Sequence, residues 1–508
     1  MPPTSSQPTV AVVGGGLAGL ASACALSNTG FQVTLFEKRP FLGGRASSYE
    51  HPGTGEVVDN CQHVLFRVCT NLVEFYERIG VANQIRWYDE MTFIEPGGRT
   101  SKMKSSSLPA PLHTAPSFFG FSFLTAADKL SIARALVPLS LTVQRDTGQS
   151  FQQWLDRHGQ TKNAVERFWR PILISALSEE LDRISISAAA QVVRESMKSP
   201  AARQMGVPTV PLTDLYNAAG EYIRARGGQL HLRTSLAYLT PSESRVTVRT
   251  LTKSDYREGQ TADIFDYFIS AVPFDALDRV LVDTPDSAPL REQISHFENS
   301  PITGIHLWFD RQISDLDHAV LLDRTIQWMF HKSRLQPMRA HRTAGSNGEL
   351  EARNGREGHD FSRAVEASDQ SGASAPEGGS YIELVVSSSK MLIDKSRPEI
   401  VDLALREVRE FFPAARSANL LKSTVIKEVN ATYSPRPGID AHRPTPITAW
   451  PRVFLAGDWT ATGWPATMEG AVRSGYLAAE ALAHAAGRKD IHFLSPDMAA
   501  TGLMRLFS

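Results

Sequence analysis

The chain has 508 residues, a formal net charge of −1, and 42% apolar and 21% charged residues, which is typical of folded globular proteins and excludes collagen-like and disordered classes. The near-neutral charge lacks the basic footprint of a nucleic-acid-binding protein, so no nucleic acid is expected as a partner. The three cysteines, Cys24, Cys61 and Cys69, are too few for a disulfide framework and lack zinc spacing, which predicts reduced thiols in the cytoplasm and no metal site.

The first predicted elements are a strand at residues 9–13, a helix up to Leu26 and a second strand at residues 32–36. The turn before the helix is Gly14-Gly15-Gly16-Leu17-Ala18-Gly19. In this G-x-G-x-x-G pattern the first glycine permits a tight turn, the second lets the backbone approach a pyrophosphate, and the third allows close helix–strand packing. Because such a turn can also serve packing alone, it predicts a dinucleotide site only together with its context.

Two further features strengthen the dinucleotide prediction. Glu37 ends the second strand, where an acidic side chain accepts hydrogen bonds from a ribose diol and favours FAD or NAD over NADP. The chain then continues to Gly43-Gly44-Arg45-Ala46, which is predicted to approach the same pyrophosphate. Lys38 is a further candidate contact, with a solvated surface charge as its alternative interpretation.

The middle of the chain is predicted to contain both helices and strands. The predicted helices are residues 130–143, broken near Pro138, and 215–226; the predicted strands are residues 229–232, 245–250, 265–272, 303–309, 325–330 and 381–387. The aromatic stretch 117–124 is explained either by core packing or by an apolar surface that touches a membrane. Residues 339–379 are dominated by Gly, Ser, Ala, Glu and Arg, which predicts a disordered insert.

The last predicted strand, at residues 453–458, ends in Gly457-Asp458 and precedes a helix from Met468 to about Ala486. The N-terminus of a helix carries partial positive charge, which would stabilise negative charge on a bound cofactor. Small residues of this helix allow a close approach to cofactor and sheet, although packing alone explains them nearly as well.

Several blocks along the chain carry a family resemblance: Val58-Asp59-Asn60-Cys61-Gln62-His63-Val64, Thr70-Asn71-Leu72, Arg86-Trp87-Tyr88-Asp89, Leu108-Pro109-Ala110-Pro111-Leu112, Phe168-Trp169-Arg170-Pro171, and Gly457-Asp458-Trp459-Thr460 continuing through Ala466-Thr467-Met468-Glu469-Gly470. They resemble the flavin-dependent amine oxidase and phytoene desaturase superfamily. More narrowly, they resemble the hydroxysqualene dehydroxylases, also called squalene-associated FAD-dependent desaturases. The sequence departs from that family at Cys61, where glycine is usual, and at residues 66–69.

The resemblance implies an α/β fold with a Rossmann-like FAD-binding domain of the two-dinucleotide-binding-domain type and an interleaved α+β substrate domain. The implied FAD-binding segments are residues 8–91, 209–282 and 431–490, and the substrate segments are 92–208 and 283–430. Residues 491–508 form a C-terminal tail. The implied FAD contacts are Gly14, Gly15, Gly16, Leu17, Ala18, Gly19, Glu37, Lys38, Gly43, Gly44, Arg45, Ala46, Gln62, His63, Leu236, Gly457, Asp458, Ala466, Thr467 and Met468.

The implied reaction is the reductive dehydroxylation of hydroxysqualene, a C30 isoprenoid, to squalene and water, with the hydride from FAD reduced by an unidentified electron donor. Because hydroxide leaves carbon poorly, a general acid is expected. His63 is the first candidate because histidine titrates near neutral pH, followed by Asp59, Asp89 and Glu469. The alternative role of Asp59 and Glu469 is structural, capping or flavin-contacting, and that of His63 is a hydrogen bond to the flavin. The alternatives are an oxidative carotenoid-type desaturase or amine oxidase, and a non-catalytic prenyl-lipid carrier. Peripheral contact with the inner face of the cell membrane is a further expectation.

Overall fold

The computed structural model describes residues 7–51, 56–252, 262–281, 283–336 and 379–507. The predicted insert at residues 339–379 lies outside the described residues except for Gly379. Within the described ranges, no helix combines the length and the apolar character needed to cross a membrane.

The strands of the described residues are spread over almost the whole chain. They are β1 Thr9–Val13, β2 Gln32–Phe36, β3 Ser48–Glu50, β4 Val57–Asp59, β5 Leu65–Phe66, β6 Ile85–Tyr88, β7 Glu90–Ile94, β8 Thr100–Lys104, β9 Met205–Pro208, β10 Gln229–His231, β11 Thr234–Pro241, β12 Val246–Thr252, β13 Ala262–Phe265, β14 Tyr267–Ser270, β15 Asn299–Phe309, β16 His318–Leu321, β17 Trp328–His331, β18 Ser380–Ser387, β19 Leu420–Tyr433 and β20 Val453–Leu455.

The α-helices of the same ranges are α1 Leu17–Ser27, α2 Thr70–Arg78, α3 Ala115–Gly120, α4 Ala126–Leu141, α5 Phe151–Arg157, α6 Lys162–Ala164, α7 Arg170–Leu177, α8 Ile186–Met197, α9 Leu212–Arg224, α10 Phe274–Val280, α11 Ala288–Ser295, α12 Lys332–Leu335, α13 Arg397–Phe411 and α14 Met468–Ala485. A π-helical segment, Val165–Trp169, joins α6 to α7. Short 3-10 turns complete the helical structure, including one in the C-terminal tail at Gly502–Leu506.

A five-stranded parallel sheet forms the first unit, in the order β10-β2-β1-β14-β20. Its central strands are apolar because both faces are covered: α1, α9 and α14 pack on one face, and the three-stranded antiparallel sheet β11-β12-β13 packs on the other. Every residue of α1 is buried, and α14 packs against α1 so closely that a Cβ at Gly475 would clash with the Ala18 carbonyl oxygen. The strands and helices at the two ends of the chain therefore assemble one domain.

A seven-stranded mixed sheet forms the second unit, in the order β19-β15-β18-β17-β16-β7-β8. One face buries residues such as Ile305 and Leu384 against Ile400 and Val408 of α13. Since side chains alternate along a strand, the intervening residues of β15 and β18 point to the other face. That other face packs toward residues 59–62, at the end of β4.

The predicted α/β class, with a Rossmann-like sheet and an interleaved α+β unit, is confirmed. The domain limits remain predictions, and two of them cut strands: β7 crosses the limit at residue 91, and β19 crosses the limit at residue 430. In addition, β9 pairs with β5 and β6, so the end of the predicted substrate segment 92–208 is hydrogen-bonded to the predicted cofactor segment.

One predicted element is wrong in detail, because residues 126–141 form a single helix that continues through Pro138. A capping box starts this helix: the Asp128 N–H donates to Thr125 Oγ1, and the Thr125 N–H donates to the Asp128 carboxylate. Pro138 lies in the last turn, where its missing N–H removes a hydrogen bond near the helix end without ending the helix.

Candidate functional site

Two glycine turns form a cradle at the start of α1. Gly14 has a φ of +110°, and a Cβ at Gly19 would clash with the Gly14 carbonyl oxygen, so both positions require glycine. Gly43 donates its N–H to the Gly15 carbonyl at 2.9 Å. A Cβ at Gly44 would lie 2.8 Å from the Gly16 Cα. The bare backbone of both turns is therefore exposed to the space before the helix N-terminus, which is an anion-binding position.

Glu37 lies at the end of β2, beside this cradle. Its carboxylate accepts hydrogen bonds from the N–H groups of Gly15, at 2.6 Å, and Arg39, at 2.8 Å. An ionised carboxylate can accept about four hydrogen bonds, so the two remaining acceptor sites are suited to a ribose diol. The backbone of Glu37 is bonded to His231 and Thr234, which brings the end of β10 and the start of β11 to the same place.

Arg45 and Asp458, both predicted contacts, lie together at the carboxyl end of the sheet. Arg45 Nη2 is 2.7 Å from Asp458 Oδ1, and Arg45 Nη1 donates to the Ala431 carbonyl at 2.8 Å. Asn60 Nδ2 donates to the Arg45 carbonyl at 3.1 Å. The segment that contains the D-N-x-Q-H motif is thus tied to the same ion pair.

The loop between β20 and α14 is held by Arg443, which is 8% exposed. Its Nη2 donates to the carbonyls of Thr460 and Trp464, at 2.6 and 2.7 Å. Thr467 caps α14 by accepting the Gly470 N–H at 3.1 Å. A cavity of about 300 Å³, lined by Tyr433, Arg443 and Gly463 among others, adjoins this loop.

The remaining predicted contacts occupy positions around these features. Leu236 lies next to a bulge of β11, where the pairing with β12 shifts by one residue. Leu17, Ala18, Ala46 and Gly457 are buried, Gln62 is 8% exposed, Ala466 and Met468 are half-buried, and Lys38 is exposed. The cradle and the Glu37 carboxylate fit the pyrophosphate and the ribose of FAD.

His63, the first candidate for the general acid, is held as a neutral imidazole. Its Nδ1 lies 2.7 Å from the Cys61 carbonyl oxygen, where it can only donate. Burial lowers the pKa of His63 below its usual value. With Nδ1–H committed to the carbonyl, Nε2 is left as an acceptor, so His63 holds no spare proton at neutral pH. The structure therefore argues against the acid role.

Asp59 is an ionised, fully bonded carboxylate rather than an acid. Its oxygens accept hydrogen bonds from Lys332 Nζ at 2.6 Å, Ser48 Oγ at 2.6 Å and the Leu212 N–H at 3.0 Å. Although burial opposes ionisation, the charge of Lys332 and these hydrogen bonds hold the pKa of Asp59 below its usual value. Its place is structural: it joins β4, α9 and α12.

Glu469 and Asp89 also have structural positions. The Glu469 carboxylate accepts the Leu72 N–H at 2.8 Å and Asn71 Nδ2 at 3.0 Å. It therefore caps the N-terminus of α2, although burial outweighs these hydrogen bonds and raises the pKa of Glu469 above its usual value. Asp89 is exposed between β6 and β7 and accepts from Gln204 at 2.6 Å. Neither is placed to protonate a substrate.

Three buried polar residues were missed by the sequence analysis: His306, Lys332 and Glu383. Lys332 is 1% exposed, and its Nζ donates to Asp59 and, at 2.9 Å, to Gln62 Oε1. Glu383 is fully buried, with its carboxylate 3.6 Å from Lys332 Nζ. Among the described residues, no donor reaches either oxygen of Glu383 with the distance and angle of a full hydrogen bond, and His306 Nε2 also lacks a partner there. The nearest donors to the Glu383 carboxyl group are Lys332 Nζ and the Gln62 N–H.

These residues adjoin an apolar wall that both units contribute to. Its buried members are Cys61, Met205, Val207, Phe330, Leu335 and Val385, and Val64, Phe66, Tyr88, Ile302 and Trp328 pack against them. Burial raises the pKa of the Cys61 thiol well above its usual value, so Cys61 behaves as a small apolar side chain. A Cβ at Gly304 would lie 3.2 Å from the Asn60 carbonyl oxygen, so β15 meets the D-N-x-Q-H segment directly.

The sequence contained a signal for part of this cluster. Glu383 is the only charged residue in the apolar strand Tyr381-Ile382-Glu383-Leu384-Val385-Val386. A glutamate is rarely buried in such a run unless it has a partner or a function. Its proximity to Lys332 and to residues 59–62 depends on sheet order and register, which the sequence does not display.

Comparisons with known proteins agree with this geometry. Residues 17–483 match the family described as flavin containing amine oxidoreductase. The chain is 28% identical over 510 residues to a probable zeta-carotene desaturase of Synechococcus elongatus, covering 94% of this chain and 98% of that protein. It is 26% identical over 493 residues to the 15-cis-phytoene desaturase of the same organism, covering 93% and 95%. Cyclohexylamine oxidase from Brevibacterium oxydans shares the fold, with a TM-score of 0.63, 15% identity, and 95% and 100% coverage.

Proposed function

Because the chain belongs to the flavin-containing amine oxidoreductases, we propose that it uses reduced FAD to replace the hydroxyl group of hydroxysqualene by hydrogen, giving squalene and water. FAD as the cofactor and oxidoreductase as the class follow from the family. The substrate and the reductive direction are the proposal. The observation that carries it is the apolar wall between the two units, with a buried carboxyl group beside it that is incompletely hydrogen-bonded among the described residues.

Different residues of this chain would bind the cofactor and the substrate. The glycine cradle, Glu37 and the N-terminus of α14 would bind and orient FAD, which when bound supplies the hydride. The apolar wall would hold the isoprenoid chain. It would also exclude water, so that water cannot add to an electron-poor carbon of the substrate.

The relatives support an isoprenoid substrate. Those named above are a phytoene desaturase and a probable zeta-carotene desaturase, and carotenes are long isoprenoid hydrocarbons. The narrower assignment to hydroxysqualene rests on the D-N-x-Q-H motif at residues 59–63 and on the block that begins at Gly457.

Oxidative desaturation of a carotenoid is the second candidate, and the same relatives favour it. The two reactions require different redox states of the flavin. Desaturation removes hydrogen from carbon and needs an electron acceptor, whereas dehydroxylation needs reduced flavin and a proton for the leaving oxygen.

An anaerobic assay separates the two candidates. We expect the photoreduced protein, mixed with hydroxysqualene, to form squalene while its flavin absorbance returns, and the oxidised protein to form none. Product formed from phytoene by the oxidised protein with a quinone, and none from hydroxysqualene, would identify a desaturase. A purified protein without flavin absorbance would instead favour a lipid carrier.

We further propose that the protein contacts an anionic membrane surface from which it takes its substrate. Leu112, Phe119 and Leu506 are 48%, 62% and 76% exposed. The C-terminal tail lies on the same region, since the Leu503 N–H donates to the Ala110 carbonyl at 2.8 Å. Residues 96–145 contain six lysines and arginines and a single acidic residue, the buried Asp128. Arg99 and Lys102 pair with Glu95 and Glu90, so the excess positive charge comes from the other four: Lys104, Lys129, Arg134 and Arg145. A basic, apolar surface suits an anionic lipid leaflet.

A further inference from the structure

Two adjacent buried polar side chains with incompletely bonded atoms lie on the face of the seven-stranded sheet that meets the D-N-x-Q-H segment. His306 of β15 is directly opposite Glu383 of β18, and opposite residues on paired strands point to the same face. Both are fully buried. In the described part of the chain, no donor reaches either carboxyl oxygen of Glu383 with the distance and angle of a full hydrogen bond, and His306 Nε2 lacks a partner. Buried polar atoms are almost always satisfied, so this pair indicates a place for a polar group of a ligand.

The ligand that meets this pair must also meet the apolar wall. Val385 lies two residues beyond Glu383 in β18, on the same face, and belongs to the wall. The site thus offers an incompletely bonded carboxyl group where a buried polar cluster, which includes Lys332 and Asp59, borders the apolar wall. That chemistry matches a long hydrocarbon with a single hydroxyl group.

Lys332 can neutralise only one of its two carboxyl neighbours. Its Nζ is 2.6 Å from Asp59 and 3.6 Å from Glu383. Asp59 also accepts hydrogen bonds from Ser48 and Leu212, so its ionised form is the better stabilised. A second carboxylate would add an uncompensated negative charge to a dry site, which is costly.

The titratable groups around Glu383 are Tyr49 of β3, Asp59 and Cys61 of the D-N-x-Q-H segment, His306 of β15, Lys332 of α12 and Tyr381 of β18. Burial raises the pKa values of Tyr49, Cys61 and Tyr381 and lowers that of His306 to about 3, so these four are neutral at pH 7. Burial and the charge of Asp59 outweigh the opposing effects of Lys332 and the Gln62 N–H, and they raise the pKa of Glu383 to about 8. Glu383 therefore carries a proton under working conditions.

We propose that Glu383 is the general acid of the reaction and protonates the hydroxyl oxygen of the substrate as the carbon–oxygen bond breaks. This inference rests on the proposed dehydroxylation. The oxygen keeps the electron pair of the broken bond, takes the proton of Glu383 and leaves as water, while the carbon receives the hydride of the reduced flavin. Glu383 is left as a carboxylate beside Lys332 and regains a proton from solvent when the products leave. Lys332 and Asp59 are positioning residues for this acid.

Single-turnover kinetics test the assignment. We expect the photoreduced wild-type protein to convert hydroxysqualene at a rate that is constant below about pH 8 and falls about tenfold per pH unit above it. Glu383→Gln should lower this rate about 100-fold or more and remove the break in the pH profile. The matched control is Glu179→Gln, which removes another fully buried glutamate, one bonded to Lys390 and Ser434; it should keep the wild-type rate and profile.

A second measurement needs neither substrate nor turnover. The infrared difference spectrum between about pH 6 and about pH 10 should contain the loss of a carboxylic-acid C=O band in the wild type and in Glu179→Gln, and lack it in Glu383→Gln. If Glu383→Gln does not fold, Glu383→Asp takes its place and should show a shifted band and a slower rate that keeps the pH break.

Three results would contradict the acid assignment, and one of them would also contradict the proposed function. Squalene formed by Glu383→Gln at the wild-type rate leaves the function standing and overturns the acid. A spectrum in which Glu383 is already ionised at neutral pH also overturns the acid. If the wild type forms no squalene although its flavin is bound and reduced, the proposed function fails, and the acid assignment fails with it.

Discussion

At the scale of single residues, Glu383 should make the protein less stable as the pH rises, whereas most carboxyl groups have the opposite effect. Its pKa is about 8 in the folded chain and about 4.5 in an unfolded one. Between these values the folded state holds a proton that the unfolded state has lost. The contribution of Glu383 to stability is therefore complete below about pH 4.5 and is lost as the pH rises toward 8.

Glu383→Gln isolates this effect. We expect the free energy of unfolding of the variant, relative to wild type, to rise by about 1.4 kcal/mol per pH unit between about pH 5 and about pH 8. Chemical denaturation at several pH values measures it. The comparison at each pH removes the contributions of other groups, including the buried histidines.

Glu179→Gln again serves as the control, because hydrogen bonds from Lys390 and Ser434 hold the pKa of Glu179 below its usual value in spite of burial. Its folded and unfolded forms are both ionised above about pH 5, so its difference from wild type should be constant there. Parallel stability curves for Glu383→Gln and the wild type would show that Glu383 is ionised in the folded protein.

The residues of the site differ in how far sequence alone could predict them. Gly14, Gly19 and Glu37 belong to a contiguous pattern whose geometry follows from local backbone requirements, and the structure places them at one turn. Lys332 and Glu383 are 51 positions apart and meet only because β17 and β18 pair. Even Glu469, correctly recognised as part of a motif, could not be identified as the cap of α2 without the packing of α14.

At the scale of elements, the cofactor cradle depends on the contact between α1 and α14. A Cβ at Gly475 would clash with the Ala18 carbonyl oxygen and lie 2.9 Å from the Ala21 Cβ, so both obstacles are fixed parts of a neighbouring helix. Gly475→Ala must push the helices apart. Because α1 starts at the glycine cradle and α14 starts at the capped Thr467, the separation disturbs both ends of the FAD site.

We expect Gly475→Ala to lose about 1–3 kcal/mol of stability, as overpacking does, and to retain less FAD after dialysis. Gly220→Ala is the matched control in α9. Its Cβ would meet the ends of the Leu42 and Leu230 side chains, at 2.9 and 3.2 Å, which can rotate away. Thermal unfolding and flavin absorbance measure both variants; equal losses would mean that the α1–α14 contact has no special role.

Element boundaries were predicted best where local chemistry decides them. The run 9–13 became β1 within the predicted limits because its apolar residues lie in a buried parallel strand. The predicted break at Pro138 is wrong because α4 packs against α8 and its residues after the proline, Leu139 and Ser140, are still buried. Local propensity is a weak guide wherever packing can compensate for one missing hydrogen bond.

At the scale of the whole molecule, several exposed apolar residues lie close together, although others, such as Ile264 and Ile447, lie elsewhere. Leu108, Leu112 and Phe119 lie in the segment 108–119, and Leu503 and Leu506 lie on the tail that is hydrogen-bonded to Ala110 of that segment. Exposed apolar residues scattered singly need no explanation, but a group with basic neighbours suits the surface of a membrane.

We expect the protein to sediment with vesicles that contain anionic lipid, less with neutral vesicles, and less at high salt, because screening weakens the attraction of lysines and arginines. The double variant Leu503→Ser/Leu506→Ser should weaken vesicle binding at least about tenfold, since each lost side chain removes about 1 kcal/mol or more of apolar burial. It spares the buried Met504 that anchors the tail. Ile264→Ser, which changes a residue of similar exposure on β13, at 56%, should bind like the wild type.

The double variant should also turn over hydroxysqualene in detergent at the wild-type rate but lose activity on substrate held in vesicles. Equal vesicle binding by the two variants would show that this region is not the membrane contact and that the substrate reaches the apolar wall by another route.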